Sequence, residues 1–159
     1  MHLASAAIHY VRSKMSIGAT DKIEDVLRSY GASIVCVLAT RSVNVTLQKG
    51  TVDSDIFQMA AKAEHVGCGN CGEQAALAFV HLHERLRARP LDFMARTDKD
   101  HAFVVIGRVS GSDAGDFHTW GKEAVVCDPW VGKAYPAREI PAKAGGGMSF
   151  RAESVSRIN

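Results

Sequence analysis

With 159 residues, the chain is long enough for one domain with a sizeable core and no covalent staples. It is 47% hydrophobic and 23% charged with a formal charge of +2, which excludes the dense basic stripe of a nucleic-acid or membrane-surface protein. No apolar run is long enough to span a bilayer, the N-terminus lacks the apolar core and cleavage site of a signal peptide, and four cysteines are too few for a disulfide scaffold. The sequence therefore suits a protein that folds in cytosol, a domain of something larger, or one that leaves the cell by a route needing no N-terminal signal.

Residues 2–15 carry few helix breakers, and Thr20 can cap a second helix over 21–30, stopped by Gly31. Residues 32–39 are apolar and partly β-branched, fitting a short buried strand as well as a helix, with Cys36 as inert packing. Residues 41–47 alternate Val43, Val45 and Leu47 with polar positions, the pattern of a half-exposed strand, and Lys49-Gly50 is a turn. Residues 51–64 place Val52, Ile56, Met59, Ala60 and Ala63 on one side of a further helix, which feeds the turn at Gly67.

That turn, Gly67-Cys68-Gly69-Asn70-Cys71-Gly72, leads into a helix whose Ala75, Ala78, Phe79, Leu82 and Leu86 share one face. One turn back from Ala75 lies Cys71, at the helix start and on the face that meets the core. Unpaired N–H groups and the dipole at a helix N-terminus stabilise a thiolate, and the same donors can hold an oxyanion. Cys71 is thus the candidate nucleophile. His83 to Arg89 is the basic, solvated end of that helix, which Arg89-Pro90 terminates. Residues 91–99 read as a loop with a few apolar anchors.

Residues 101–109 are almost continuously apolar and rich in β-branched residues, an interior strand. A long hairpin loop over 110–120 returns the chain to a strand at 123–128, stopped by Pro129. The remainder, with Gly145-Gly146-Gly147, is irregular with one edge element. Helices followed by antiparallel strands make an α+β domain over 1–159, with N-terminal helices and short strands in 1–50 and a catalytic core in 51–140. The hairpin brings its two ends together. His101 opens the outgoing strand, Asp128 closes the returning one, and a histidine beside a carboxylate can act as general base and acid for a cysteine.

GNCGEQ at a helix start, DHAFVVIGR on a strand and VVCDPW at the end of the next resemble the papain-like and transglutaminase-like superfamily, over roughly residues 64–130. More narrowly they resemble its bacterial effector and toxin branch of cysteine proteases and glutamine deamidases. The resemblance implies a papain-like fold, with a Cys-bearing central helix packed on an antiparallel sheet carrying His and Asp. It implies Cys71 as nucleophile, His101 as base and acid, Asp128 as the orienting group, and an oxyanion hole of the Cys71 N–H with Asn70. Gly72 stands where many relatives have an aromatic residue, a departure from the pattern.

Taken singly, the same residues fit plainer roles. Cys68 and Cys71 could form a disulfide or half of a zinc knuckle, His101 could be a satisfied strand-end histidine, and Asp128 before Pro129 could be a turn signal. His81 and His83 point to different helix faces and do not complete a metal site. The expectation is therefore a Cys-His-Asp hydrolase acting on amide bonds of a target protein, a glutamine deamidase or a cysteine protease. It needs no cofactor or metal, and Cys68 is a thiol that could regulate Cys71. An acyltransferase with the same triad and a zinc or redox module on Cys68 and Cys71 are the alternatives. The expected partner is a protein substrate in a target cell reached through a bacterial secretion system, with an immunity or chaperone protein as companion and neither nucleic acid nor a membrane span. Asp116 and Glu123 stand next in line as third triad member.

Overall fold

The computed structural model describes residues 1–16, 27, 34–36, 38, 51–143 and 150–159. The strand expected over 41–47, the turn at Lys49-Gly50 and, Leu27 apart, the helix expected over 21–30 lie outside the described residues. Helix α1 (His2–Lys14) buries Ala4, Ala7, Ile8 and Val11, one stripe at helical spacing. Helix α2 (Val52–Val66) starts at Thr51, whose hydroxyl accepts the Ser54 N–H at 3.3 Å, and has Asp53 and Asp55 in its first turn against the positive end of the dipole. It stops at Gly67, where φ is 77° and the N–H returns to the Ala63 carbonyl. A side chain there would be strained, and its Cβ would press on the Lys14 carbonyl 3.3 Å away.

Helix α3 (Cys71–Glu84) runs through the middle of the molecule, with Ala75, Ala76, Leu77, Ala78, Phe79 and Leu82 all buried. The small residues let it lie close to α1 and α2 on one side and to the sheet on the other. That sheet comprises β1 (Leu91–Arg96), β2 (Ala102–Ile106), β3 (Val125–Asp128), β4 (Lys133–Pro136) and β5 (Ala152–Ile158). Their order is β4-β3-β2-β1-β5, and every neighbouring pair is antiparallel. One face of the sheet packs on the helices through Leu91, Phe93, Val104 and Cys127. The opposite face carries a second core in which Met94, Phe103, Val105 and Val126 meet Trp120, Tyr135 and Phe150.

The α+β class with an antiparallel sheet agrees with the sequence. Two local expectations are corrected and one open alternative is decided. The loop expected over 91–99 is strand β1, which lies between β2 and β5; Asp92 and Arg96 had broken its apolar run, but both are buried. Residues 34–36 and 38 are helical, with Val35 and Leu38 70% and 63% exposed, where a buried strand had been an equal alternative. The C-terminal part supplies two strands, β4 and β5, in place of one edge element. No helix among the described residues is long and apolar enough to cross a membrane.

Candidate active site

Cys71 is the first residue of α3 and is half-buried, with a free thiol. The turn before it is fixed from inside the helix. Asn70 and Glu73 form a capping box, in which the Glu73 carboxylate accepts the Asn70 N–H at 3.0 Å and the Asn70 side chain faces the Glu73 N–H. The buried Gln74 amide donates to the Gly69 carbonyl at 2.9 Å. Gly69 itself lies so close to Glu73 that a Cβ would collide with that side chain. Asn70 thus serves first as the N-cap, directly beside the cysteine.

His101 ends the short β1–β2 connection. Its carbonyl accepts the Arg96 N–H at 2.8 Å, while the Arg96 guanidinium clamps Asp98 within the same turn. The hydrogen bond from Arg96 holds the Asp98 carboxyl down at about 2. Asp128 ends β3. Its Oδ1 accepts the Val131 N–H at 3.0 Å and its carbonyl accepts the Gly132 N–H at 2.8 Å, so the Pro129-Trp130 turn folds back around the carboxylate. Helix α1 backs this turn: a Cβ at Gly132, where φ is 75°, would collide with the Arg12 guanidinium.

The structure brings these three groups together. His101 Nε2 lies 2.7 Å from Asp128 Oδ2, with both side chains largely buried. Cys71 lines the same cavity and lies close enough to the imidazole to help hold its proton, and with Nε2 committed to Asp128 the nitrogen left to face sulfur is Nδ1. Burial alone would push the His101 pKa down. The hydrogen bonds and charges of Asp128 and Cys71 outweigh it and push the pKa up to about 9. The ring is therefore held as imidazolium at neutral pH. The indole of Trp130 stands edge-on to it, with centroids 5.6 Å apart.

Cys71, His101, Asp128 and Trp130 line a cavity of about 320 Å³ whose rim carries Lys99 and Lys143. A larger cavity of about 510 Å³ lies against Asp116, His118 and Phe150, and Cys71, His101 and Asp128 do not line it. Asp116 caps a short 3₁₀ helix there by accepting the His118 N–H, and Glu123 is exposed on the turn before β3.

The cysteine expectations need one correction. Cys68 forms a disulfide with Cys36, with their Cα atoms 6.2 Å apart. Cys68 is then neither a free thiol facing Cys71 nor half of a Cys68–Cys71 zinc or redox pair, and Cys36 is not inert packing. Nothing in the apolar run around Cys36 signalled this partner, because thirty-two residues separate the two in sequence. Cys127 is fully buried, and burial together with the neighbouring Asp128 pushes its thiol pKa up. Comparison with family models, with curated proteins and with solved structures gave no match.

Proposed function

We propose that the protein is a cysteine hydrolase of papain-like type, acting on amide bonds of a protein substrate. The reading rests on one observation: an imidazole hydrogen-bonded to a buried carboxylate shares one cavity with a free cysteine at a helix N-terminus. Asp128 holds the Nε2–H and so fixes the ring orientation, and the imidazolium pairs with a Cys71 thiolate. The sulfur attacks an amide carbonyl, forming the C–S bond as the C=O pair moves onto oxygen. The Cys71 N–H, one of the donors a helix N-terminus leaves without an intrahelical partner, is placed to receive that oxyanion, with Asn70 beside it. As the C–N bond breaks, His101 Nδ1–H protonates the leaving nitrogen. The resulting thioester is hydrolysed by a water that gives its proton back to His101, releasing a carboxylic acid and regenerating thiolate and imidazolium.

The leaving nitrogen is ammonia if the amide is a glutamine side chain and an amine if it is a peptide bond. Within this reading we favour the glutamine side chain, which a cavity of about 320 Å³ has room to admit. Acyl transfer to an amine remains the second outcome of the same chemistry. Cells exposed to the wild-type protein or to Cys71→Ala, compared by mass spectrometry, test the assignment. An intact target chain with the small mass gain of amide-to-acid conversion identifies a deamidase, and cleaved fragments identify a protease. A modification that persists with Cys71→Ala overturns the proposal.

A further inference from the structure

We infer that Cys36 and Cys68 are positioning residues for Cys71: their disulfide bolts down the turn that delivers the nucleophile, so the reactivity of Cys71 depends on the redox state of the pair. The inference rests on the hydrolase reading and adds a regulation to it. Nucleophile and base belong to different parts of the molecule. His101 is anchored by the β1–β2 turn and by Asp128 on the sheet, whereas Cys71 arrives from the stretch between α2 and α3. That stretch is Gly67-Cys68-Gly69-Asn70, and its two glycines have no side chain to grip anything. Cys68 is fully buried in its middle, three residues before Cys71, and is bonded covalently to another part of the chain.

The contacts downstream of the disulfide amplify its effect. Gly69 sits where even a Cβ would collide with Glu73 and meet Met15, and Glu73 and Gln74 hold Asn70 and Gly69 by hydrogen bonds. A movement at Cys68 is therefore passed to the first turn of α3, where the Cys71 sulfur meets His101. Displacement of about 1 Å at such a contact is enough to cost on the order of a hundredfold in rate. A cellular dithiol can drive the change. Its thiolate attacks one sulfur of the Cys36–Cys68 bond, and its second thiol resolves the mixed disulfide. Two electrons and two protons then reside on Cys36 and Cys68, and the reductant leaves as a disulfide. The site is at full strength in an oxidising setting and weakened in a reducing one.

The test is the rate of Cys71 alkylation by iodoacetamide as a function of pH, followed by peptide mapping. It uses the oxidised protein, the protein pre-reduced with dithiothreitol, and the variants Cys36→Ser and Cys68→Ala, with circular dichroism recorded for each. At about pH 6 the oxidised protein is expected to label at Cys71 first. Reduction or either substitution should lower that rate at least about tenfold, with the fold retained. Reoxidation of the wild type should restore it, and the variants should not respond. An unchanged pH profile with only a lower melting temperature would make the bond a structural staple and overturn the inference, as would loss of the fold in all three reduced or substituted forms. Slow labelling of Cys71 in the oxidised protein would instead remove the hydrolase reading, and this inference with it.

Discussion

Asp128 divides its two carboxylate oxygens between two tasks: Oδ2 holds His101 and Oδ1 holds the turn through the Val131 N–H. Asp128→Asn keeps an oxygen for Val131 and replaces only the charge that faces the imidazole. Circular dichroism and thermal melting should therefore change little. Turnover should fall steeply, because a neutral amide no longer stabilises the imidazolium; the corresponding change in a serine-protease triad costs about ten-thousandfold. Full activity in a folded Asp128→Asn protein would leave the third triad position unassigned. The same imidazole gives a pH prediction. Its folded pKa of about 9 lies above the ordinary histidine value of about 6.5. The charged ring thus adds stability in full below about pH 6.5, and this contribution is lost as pH rises through about 9. Turnover should decline over the same upper window, since the proton needed by the leaving nitrogen is gone. Cys71→Ala removes one of the two groups that raise the His101 pKa and should lower the midpoint of its NMR titration, with Asp128 still holding it up.

At the level of elements, the interior strand β1 shows what sequence pattern could and could not carry. Val104 and Val105 in β2 and Val126 in β3 announce buried strands by composition, and the α3 stripe announces a helix by spacing. Cys71, His101 and Asp128 were legible for a related reason: each sits where a strong element begins or ends, so element order and antiparallel pairing brought them to one place. Asp92 defeated the same logic. It is wholly buried because Arg108 and Arg157 donate to its two oxygens at 2.7 Å each and Ser154 adds a third bond at 2.8 Å. Those partners come from beyond β2 and from β5, and local sequence cannot show that a charge will be neutralised from so far away. The Cys36–Cys68 bond was hidden for the same reason. Asp92→Ala leaves two guanidinium groups facing a hole, one of them buried, and is expected to cost about 3–5 kcal/mol in urea unfolding. Asp92→Asn, which keeps hydrogen-bond acceptance without the charge, should cost less than that.

On the scale of the whole molecule, the candidate site is a seam. The helical layer contributes Cys71 from the start of α3, and the sheet contributes His101 and Asp128 from the start of β2 and the end of β3, which antiparallel pairing sets side by side. Nothing in the turns alone sets the distance between sulfur and imidazole; it depends on how α3 seats against β1 and β2. Phe79 stands at that seat, fully buried on α3 and edge-on to Phe93 of β1 with ring centroids 5.9 Å apart. Truncation to alanine removes the ring from the helix–sheet interface and should cost about 3–5 kcal/mol of stability. Its more telling effect is on catalysis. Because the helix can settle towards the sheet, Cys71 should lose register with His101 although Phe79 lines no part of the cavity those two share. Measured well below its melting temperature, Phe79→Ala should therefore show slower Cys71 alkylation at about pH 6, whereas Val105→Ala on the far side of the sheet should destabilise without that loss. Equal reactivity of Cys71 in the wild type and in folded Phe79→Ala would show that the glycine turn and its disulfide hold the nucleophile in place unaided.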